Sequence, residues 1–257
     1  MLAYPSGLDL SSSHLRFLAA RLREHRRRIG SRWRRLPAGR QALLALAHLR
    51  NGPTYAQLAA GFGIGTSTVF RYIREAVEVL AGLAPTLHDA VHTAVRKGFM
   101  LLDGTLLPID RRAADRPYYS GKHRRHGMNV QVLADSLGRL IWVSPALPGA
   151  VHDIRAARTH GIPQPLTAAG VTCWADKGYQ GAGGTVRVPY RGPWRHLSAN
   201  QQAVNRSQAK IRAFVEQAIA TLKTWRLLRK LRCSTTRITT IVQAILTLHI
   251  ATTSTPR

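Results

Sequence analysis

The sequence predicts an all-helical N-terminal part followed by an α/β domain with a mixed sheet. Three observations carry this reading. Apolar residues recur at helical spacing through about residue 90. After about Lys97 the period changes, and short apolar runs appear between Gly, Pro, Asp and Asn. From Ser198 onward the helical period returns. At 257 residues the chain has room for one large domain or two modest ones, and the change of period divides it into 1–90 and 91–257.

The helical part reads as follows. His14–Arg28 places Leu15, Leu18 and Leu22 on one face and is followed by Gly30. Arg40–Arg50 does the same with Leu43, Leu46 and Leu49, and Asn51, Gly52 and Pro53 stop it. Thr54 and Gln57 have the spacing of a capping box, opening a helix over Tyr55–Ala60. The glycine-rich stretch 61–65 breaks that helix. Thr66–Leu80 resumes it, with Val69, Ile73, Val77 and Leu80 facing inward.

In the second part, Phe99–Ile109, Asn129–Ala134, Leu140–Ser144 and Val171–Ala175 read as strands. Val186–Tyr190 is a further candidate. Asp135, Ser136, Leu137 and Gly138 form a turn between two of the strands, which predicts an antiparallel hairpin. Asp153–Thr159 reads as a short helix, Ser198–Arg232 as a long basic one, and Thr239–Ala251 as a last apolar one.

Charge narrows the function classes. The chain has 38 Lys and Arg against 12 Asp and Glu, a net charge of +26. That excess implies a polyanionic partner, first of all nucleic acid. Residues 1–90 carry 13 basic and 5 acidic side chains, and residues 91–257 carry 25 and 7. Both parts can therefore approach a polyanion. Two cysteines, Cys173 and Cys233, make neither a disulfide scaffold nor a zinc pattern. No run of eighteen apolar residues predicts a membrane span. The opening residues lack the basic-then-apolar order of a secretory signal. The expectation is a cytoplasmic protein, nucleoid-associated when bound to DNA, with no membrane partner.

The segment 54–80 has the marks of a helix-turn-helix. Such a motif needs a small residue where its helices touch, a glycine at the turn and an apolar anchor on the second helix. Ala59, Gly63 and Val69 suit those roles. The second helix would then offer Ser67, Thr68, Arg71 and Tyr72 to a DNA groove, with Arg74 near a phosphate. A recognition helix fits the B-form major groove and not the narrow A-form one, which favours duplex DNA over RNA.

In so basic a second part, the seven acids are informative. Asp110 and Asp115 lie among arginines and balance charge, and Asp135 belongs to the turn. Asp103 ends the run Phe99, Met100, Leu101, Leu102, and Asp176 follows Cys173, Trp174, Ala175. Both fall at strand ends, where open α/β sheets tend to place chemistry. Glu216 shares a helix face with Arg212 and Lys223. Taken singly, each acid is explained by capping, turn formation or a solvated ion pair. Taken together, Asp103, Asp176 and Glu216 suit two Mg²⁺ ions, because hard cations want carboxylate oxygens and a pair of them can drive phosphoryl displacement. Asp153, after Pro148, Gly149 and His152, reads as a helix N-cap rather than a fourth ligand. Lys122, His123, Arg124 and Arg125 form a cationic run with His126, suited to gripping DNA.

Five segments in order carry a family resemblance: LLDGTLLPI, YYSGKHRRHGMNVQVLAD, PGAVHDIRAAR, WADKGYQG and RSQAKIRAFVEQAIATLKTW. Over about residues 40–250 the chain resembles the DDE transposases of bacterial insertion sequences, in the Harbinger-related group, insertion-sequence family five. The resemblance implies a ribonuclease-H-like catalytic domain. Its carboxylates would be Asp103 on the central strand, Asp176 on a neighbouring strand and Glu216 on a following helix. It also implies Arg212 and Lys223 as DNA-positioning residues. The signature commonly has a Tyr seven positions before the Glu, where this chain has Ala209. The implied activity is metal-dependent cleavage and strand transfer at an insertion sequence's ends. The implied cofactor is Mg²⁺, two ions, with Mn²⁺ as a substitute. The implied partners are double-stranded DNA of the terminal inverted repeats and of the target, and further copies of the chain. Two other readings remain at this point: a non-catalytic DNA-binding protein descended from a transposase, and an RNA-binding protein on the same fold.

Overall fold

The computed structural model describes residues 8–31, 33–110 and 116–253. Asp115 lies outside the described residues. The chain divides into two units. One holds the described residues of Met1–Ala84, Lys223–Arg229 and Thr240–Arg257, and the other holds those of Pro85–Leu222 and Lys230–Thr239.

The first unit is helical. Helix α1 (Ser12–Arg28) buries Leu18 and Leu22, and α2 (Ala38–Asn51) buries Leu44, Leu46 and Leu49. Gly52 ends α2 in the left-handed conformation. Helix α3 (Tyr55–Phe62) opens on the expected capping box: Gln57 N–H donates to the Thr54 hydroxyl, and Thr54 N–H donates to Gln57 Oε1. Gly63 has φ 65°, which a residue with a Cβ adopts only at a cost, and α4 (Thr66–Ala81) follows. Val69, Ile73, Val77 and Leu80 are buried as expected. A polar seam ties α2 to α4. The Gln41 side-chain amide, fully buried, donates to Glu75 Oε2 (2.8 Å) and to the Tyr72 carbonyl (3.2 Å), while Arg34 donates to Glu75 Oε1 (2.8 Å).

The second unit begins with α5 (Leu87–Ala94), also opened by a capping box, from Thr86 and Asp89. Then come β1 (Phe99–Pro108), β2 (Tyr119–Ser120), β3 (Arg125–Asp135), β4 (Leu140–Val143) and β5 (Leu147–Pro148). Helices α6 (Asp153–Thr159) and α7 (Pro163–Ala168) lead to β6 (Thr172–Ala175) and β7 (Val186–Arg187). The sheet runs β2-β3-β1-β6-β7, with β4 and β5 also paired to β3. β1 is antiparallel to β3 and parallel to β6, so the sheet is mixed. The predicted hairpin is present: β3 and β4 are antiparallel around Asp135, whose carboxylate accepts from Leu137 N–H, Arg139 N–H and Arg139 Nε. Met100, Leu102, Leu133, Cys173 and Ala175 share a core with Ala90, Ala157 and Leu166 from α5, α6 and α7. The long α8 (Ala199–Lys223) follows, and α9 (Thr235–Thr253) closes the described chain.

Two divisions differ from the sequence reading. The expected boundary at residue 90 falls inside α5, and the observed one lies at Ala84 and Pro85. The C-terminal stretch was expected to belong wholly to the α/β part, yet most of α9 belongs to the helical unit. Ile241, Val242, Ile245, Leu246 and Leu248 are buried, and the Thr247 hydroxyl donates to the Leu80 carbonyl at 2.9 Å. The expected strand Val186–Tyr190 shortens to two residues, and the expected helix Ser198–Arg232 gives way after Lys223 to a 3₁₀ turn over Arg226–Arg229.

Candidate active site

β1 and β6 run parallel, and the pair Leu102 and Ala175 is the last in register. One residue on, each strand delivers an aspartate. Asp103 is 8% exposed, at the middle of the sheet. Met100 and Leu102 point into the core, so strand alternation sends Asp103 to the other face. Its Oδ1 accepts from Gly104 N–H (2.8 Å), and Asp176 Oδ1 accepts from Gly178 N–H (2.7 Å). Asp176 thus also caps the 3₁₀ turn over Lys177–Tyr179, while Asp103 sits within β1. Burial, and next the Asp176 charge, push the Asp103 carboxyl up to about 6; Gly104 N–H and Arg212 oppose them, and Asp153 adds to the rise.

Asp153 is the residue of this site that sequence reasoning set aside as a helix cap. The N-cap of α6 is His152, not Asp153. Asp153 is the first helical residue, and its carboxylate does not cap. Oδ1 accepts from Asn129 Nδ2 (2.9 Å) and Oδ2 from Lys122 Nζ (3.0 Å). A chain of donors runs to it through the interior: Tyr179 Oη to Gln131 Oε1 (2.5 Å), Gln131 Nε2 to Asn129 Oδ1 (2.8 Å), then Asn129 to Asp153. Burial, and next these carboxylates, push the Tyr179 phenol well above its ordinary range, so it stays a donor. Gly104 makes the approach possible, because a Cβ there would meet Asp153 Oδ1 at 2.1 Å. The signals in sequence were Gly104 directly after Asp103 and the alternating amides Asn129 and Gln131 on one strand face.

Lys122 was expected to grip DNA. Its ammonium lies 3.0 Å from Asp153 Oδ2 and 4.0 Å from Asp176 Oδ2. Burial lowers its pKa, but Asp153, and then Asp176 and Asp103, more than reverse that and raise it. The rest of that cationic run is exposed. His123 N–H donates to Ser120 Oγ (3.4 Å), Arg124 takes φ 49° in the turn, and Arg125 pairs with Ser120 across β2 and β3.

Glu216 stands apart in character. Its side chain is 64% exposed, and Arg212 lies 3.8 Å away on the same helix. Arg212 is half-buried, and its charge acts on Asp103. Lys223 ends α8 two turns on, where its carbonyl accepts from Arg229 Nε (2.9 Å). Among the described residues, no three of His, Cys, Asp and Glu converge on one point that could hold a metal ion. The donor set still fits a magnesium-like ion. Such an ion commonly takes one or two protein carboxylates and completes its shell with water and substrate phosphate. Asp103 and Asp176 are hard oxygen donors, and burial, then the charge of Asp176, raises the Asp103 carboxyl.

In the helical unit, the exposed side of α4 presents Ser67 and Arg71, with Thr68 half-buried; Arg71 reaches Thr68 Oγ1 at 3.4 Å. Arg74 is exposed and paired with Glu78 (2.7 Å). Tyr72 departs from expectation. It is 4% exposed, and its hydroxyl accepts from Leu36 N–H at 3.3 Å. α4 packs against α2 as well as α3, so its buried stripe is wide enough to take in position 72. Tyr72 is therefore a structural residue and not a groove contact.

Comparison with known proteins follows the same division. Residues 34–86 match the family described as helix-turn-helix of DDE superfamily endonuclease, and residues 102–249 match the family described as DDE superfamily endonuclease. The chain is 34% identical over 202 residues to a Streptomyces albus G protein named as a transposase for insertion sequence element IS112, covering 77% of this chain and 73% of that one. It is 24% identical over 198 residues to a Microchaete diplosiphon protein named as a transposase for insertion sequence element IS702, covering 73% and 70%. No solved structure matches significantly.

Proposed function

The chain belongs to the DDE superfamily endonucleases, and from that membership we propose that it is a DNA transposase whose chemistry rests on Asp103, Asp176 and Glu216. The observation that carries the reading is the pair of neighbouring aspartates, Asp103 midway along β1 and Asp176 just past the end of β6. A buried carboxyl at the middle of the sheet, raised by its neighbour's charge, is costly for the fold and useful to a cation. Asp103 and Asp176 would hold divalent cations, Mg²⁺ or Mn²⁺, and Glu216 would join from α8. Bound there, two such ions stabilise the attacking and leaving oxygens of a phosphodiester displacement.

The chain's own residues do the rest. Arg212 and Lys223 offer charge to DNA phosphates along α8, and Arg124 and Arg125 do so at the hairpin tip. Ser67, Thr68 and Arg71 meet the groove of the terminal repeat, and Arg74 a nearby phosphate. The first cut frees a 3′-hydroxyl, which attacks target DNA in strand transfer. The Harbinger-related placement in insertion-sequence family five, assembly of several copies on DNA, and a nucleoid-associated life in the cytoplasm are parts of the same proposal. No helix among the described residues is long and apolar enough to cross a membrane.

The test is cleavage of a labelled duplex carrying the element's end, with Mg²⁺ or Mn²⁺ against EDTA. Wild type runs beside Asp103→Asn, Asp176→Asn and Glu216→Gln. The expected result is metal-dependent cutting by wild type alone, with duplex binding kept by all four. A folded wild type that binds the duplex and never cuts would leave a DNA-binding protein without this chemistry.

A further inference from the structure

We infer that Lys122 is a resident counter-ion of the carboxylate centre, positioned by Asp153, and that a divalent cation entering at Asp103 and Asp176 displaces it. The inference rests on the cation reading given above and adds a residue to it. Lys122 is then a positioning residue: it sets how tightly the cation binds and keeps the centre assembled before the cation arrives.

Three observations and one physical argument carry it. The ammonium lies between two carboxylates, 3.0 Å from Asp153 Oδ2 and 4.0 Å from Asp176 Oδ2, and its charge is also coupled to Asp103. One positive charge thus serves three acids, where a divalent ion would match them better. The second is that the holder is built. Asp153 is fixed by Asn129, which is oriented by Gln131 and Tyr179, and the missing Cβ of Gly104 leaves it room. A surface ion pair needs no such support. The third is that Lys122 can leave. Its side chain is 55% exposed and rides on the tip between β2 and β3, beside a cavity of about 50 Å³ lined by Ser120, Gly121, Asn129 and Asp153. The fourth is simple repulsion: an ammonium held at Asp176 Oδ2 and a dication on the same carboxylate oppose each other at close range.

The experiment measures Mn²⁺ binding to the full chain without DNA, by the loss of the free-ion electron paramagnetic resonance signal. Wild type is compared with Lys122→Met and Lys177→Met. The second removes an equal charge one residue from Asp176 and leaves the Lys122–Asp153 pair in place. Lys122→Met is expected to bind Mn²⁺ roughly tenfold more tightly, as loss of a direct competitor allows, and Lys177→Met much less so. On wild type itself, labelling of Lys122 with an amine reagent, read by mass spectrometry, is expected to rise several-fold with Mn²⁺. Unchanged or weaker binding by Lys122→Met, an equal gain in Lys177→Met, or labelling indifferent to Mn²⁺ would overturn the displacement while leaving the cation reading intact. Absence of Mn²⁺ binding in all three proteins would overturn both.

Discussion

Two sets of acids in the α/β unit differ in how the fold treats them. Asp103, Asp153 and Asp176 are largely buried, tethered by backbone and amide donors, and share one lysine. Glu216 is mostly exposed on a helix and meets only Arg212 within ion-pair distance among the described residues. Within the first group, Asp103 carries an electrostatic cost in the folded chain before any ligand is present. The comparison teaches that the fold pre-assembles the three aspartates beside the sheet and leaves Glu216 mostly exposed on α8.

The largest expected effect breaks the comparison if it fails. Asp103→Asn and Asp176→Asn should each lower metal-dependent cleavage by roughly a thousandfold or more, since several kcal/mol of charge stabilisation are at stake. Single-turnover cleavage of end-labelled duplex reads this. A loss of less than tenfold would separate the sheet acids from the chemistry.

The next effect is on stability against pH. The folded Asp103 carboxyl sits near 6, above the ordinary 3.8, through burial and then the charge of Asp176, with Asp153 adding to the rise and Arg212 opposing it. Between these values the folded chain holds a proton that the unfolded chain has released. Stability should therefore fall as pH rises through this window, by about 3 kcal/mol, and stay lower above it. Asp103→Asn should lack that component, and Glu216→Gln should keep it. Denaturant titrations of the three proteins from pH 4 to 7 measure the difference.

Smaller effects sharpen the picture. Gly104→Ala should cost about 1–3 kcal/mol, because its methyl would overlap the Asp153 carboxylate. Tyr179→Phe should cost about 1–2 kcal/mol by leaving the buried Gln131 oxygen without its donor. Glu216→Gln should change stability by less than about 0.5 kcal/mol. Chemical denaturation at one pH ranks all three, and a Glu216→Gln cost equal to that of Gly104→Ala would erase the contrast.

How much of this was legible in the sequence follows from range. The helix-turn-helix was readable because its signals are local: Thr54 with Gln57, Gly63, and the buried stripe from Val69 to Leu80. The strand end at Asp176 was readable because an apolar run stops there, whereas Asp103, expected at a strand end, lies midway along β1, which runs on to Pro108. Asp153 was misread as a cap because its neighbours in sequence look like a helix start. Its true partners, Gly104, Lys122 and Asn129, are distant in sequence and meet it only once β1, β3 and α6 pack together. Tyr72 failed for a related reason. Periodicity gives the direction of a buried face, but its width depends on how many helices cover it. The helix at Leu87–Ala94 has a local signal of the same kind in Thr86 with Asp89. The split of α9 between units had no local signal, since an apolar helix does not say which core it joins.

The most direct measurement of the central claim is Mn²⁺ binding without DNA by wild type, Asp103→Asn, Asp176→Asn and Glu216→Gln. If the centre is pre-assembled on the sheet, either aspartate variant loses most of the binding and Glu216→Gln keeps it. Aspartate variants that bind like wild type, or a Glu216→Gln loss as large as theirs, would contradict it.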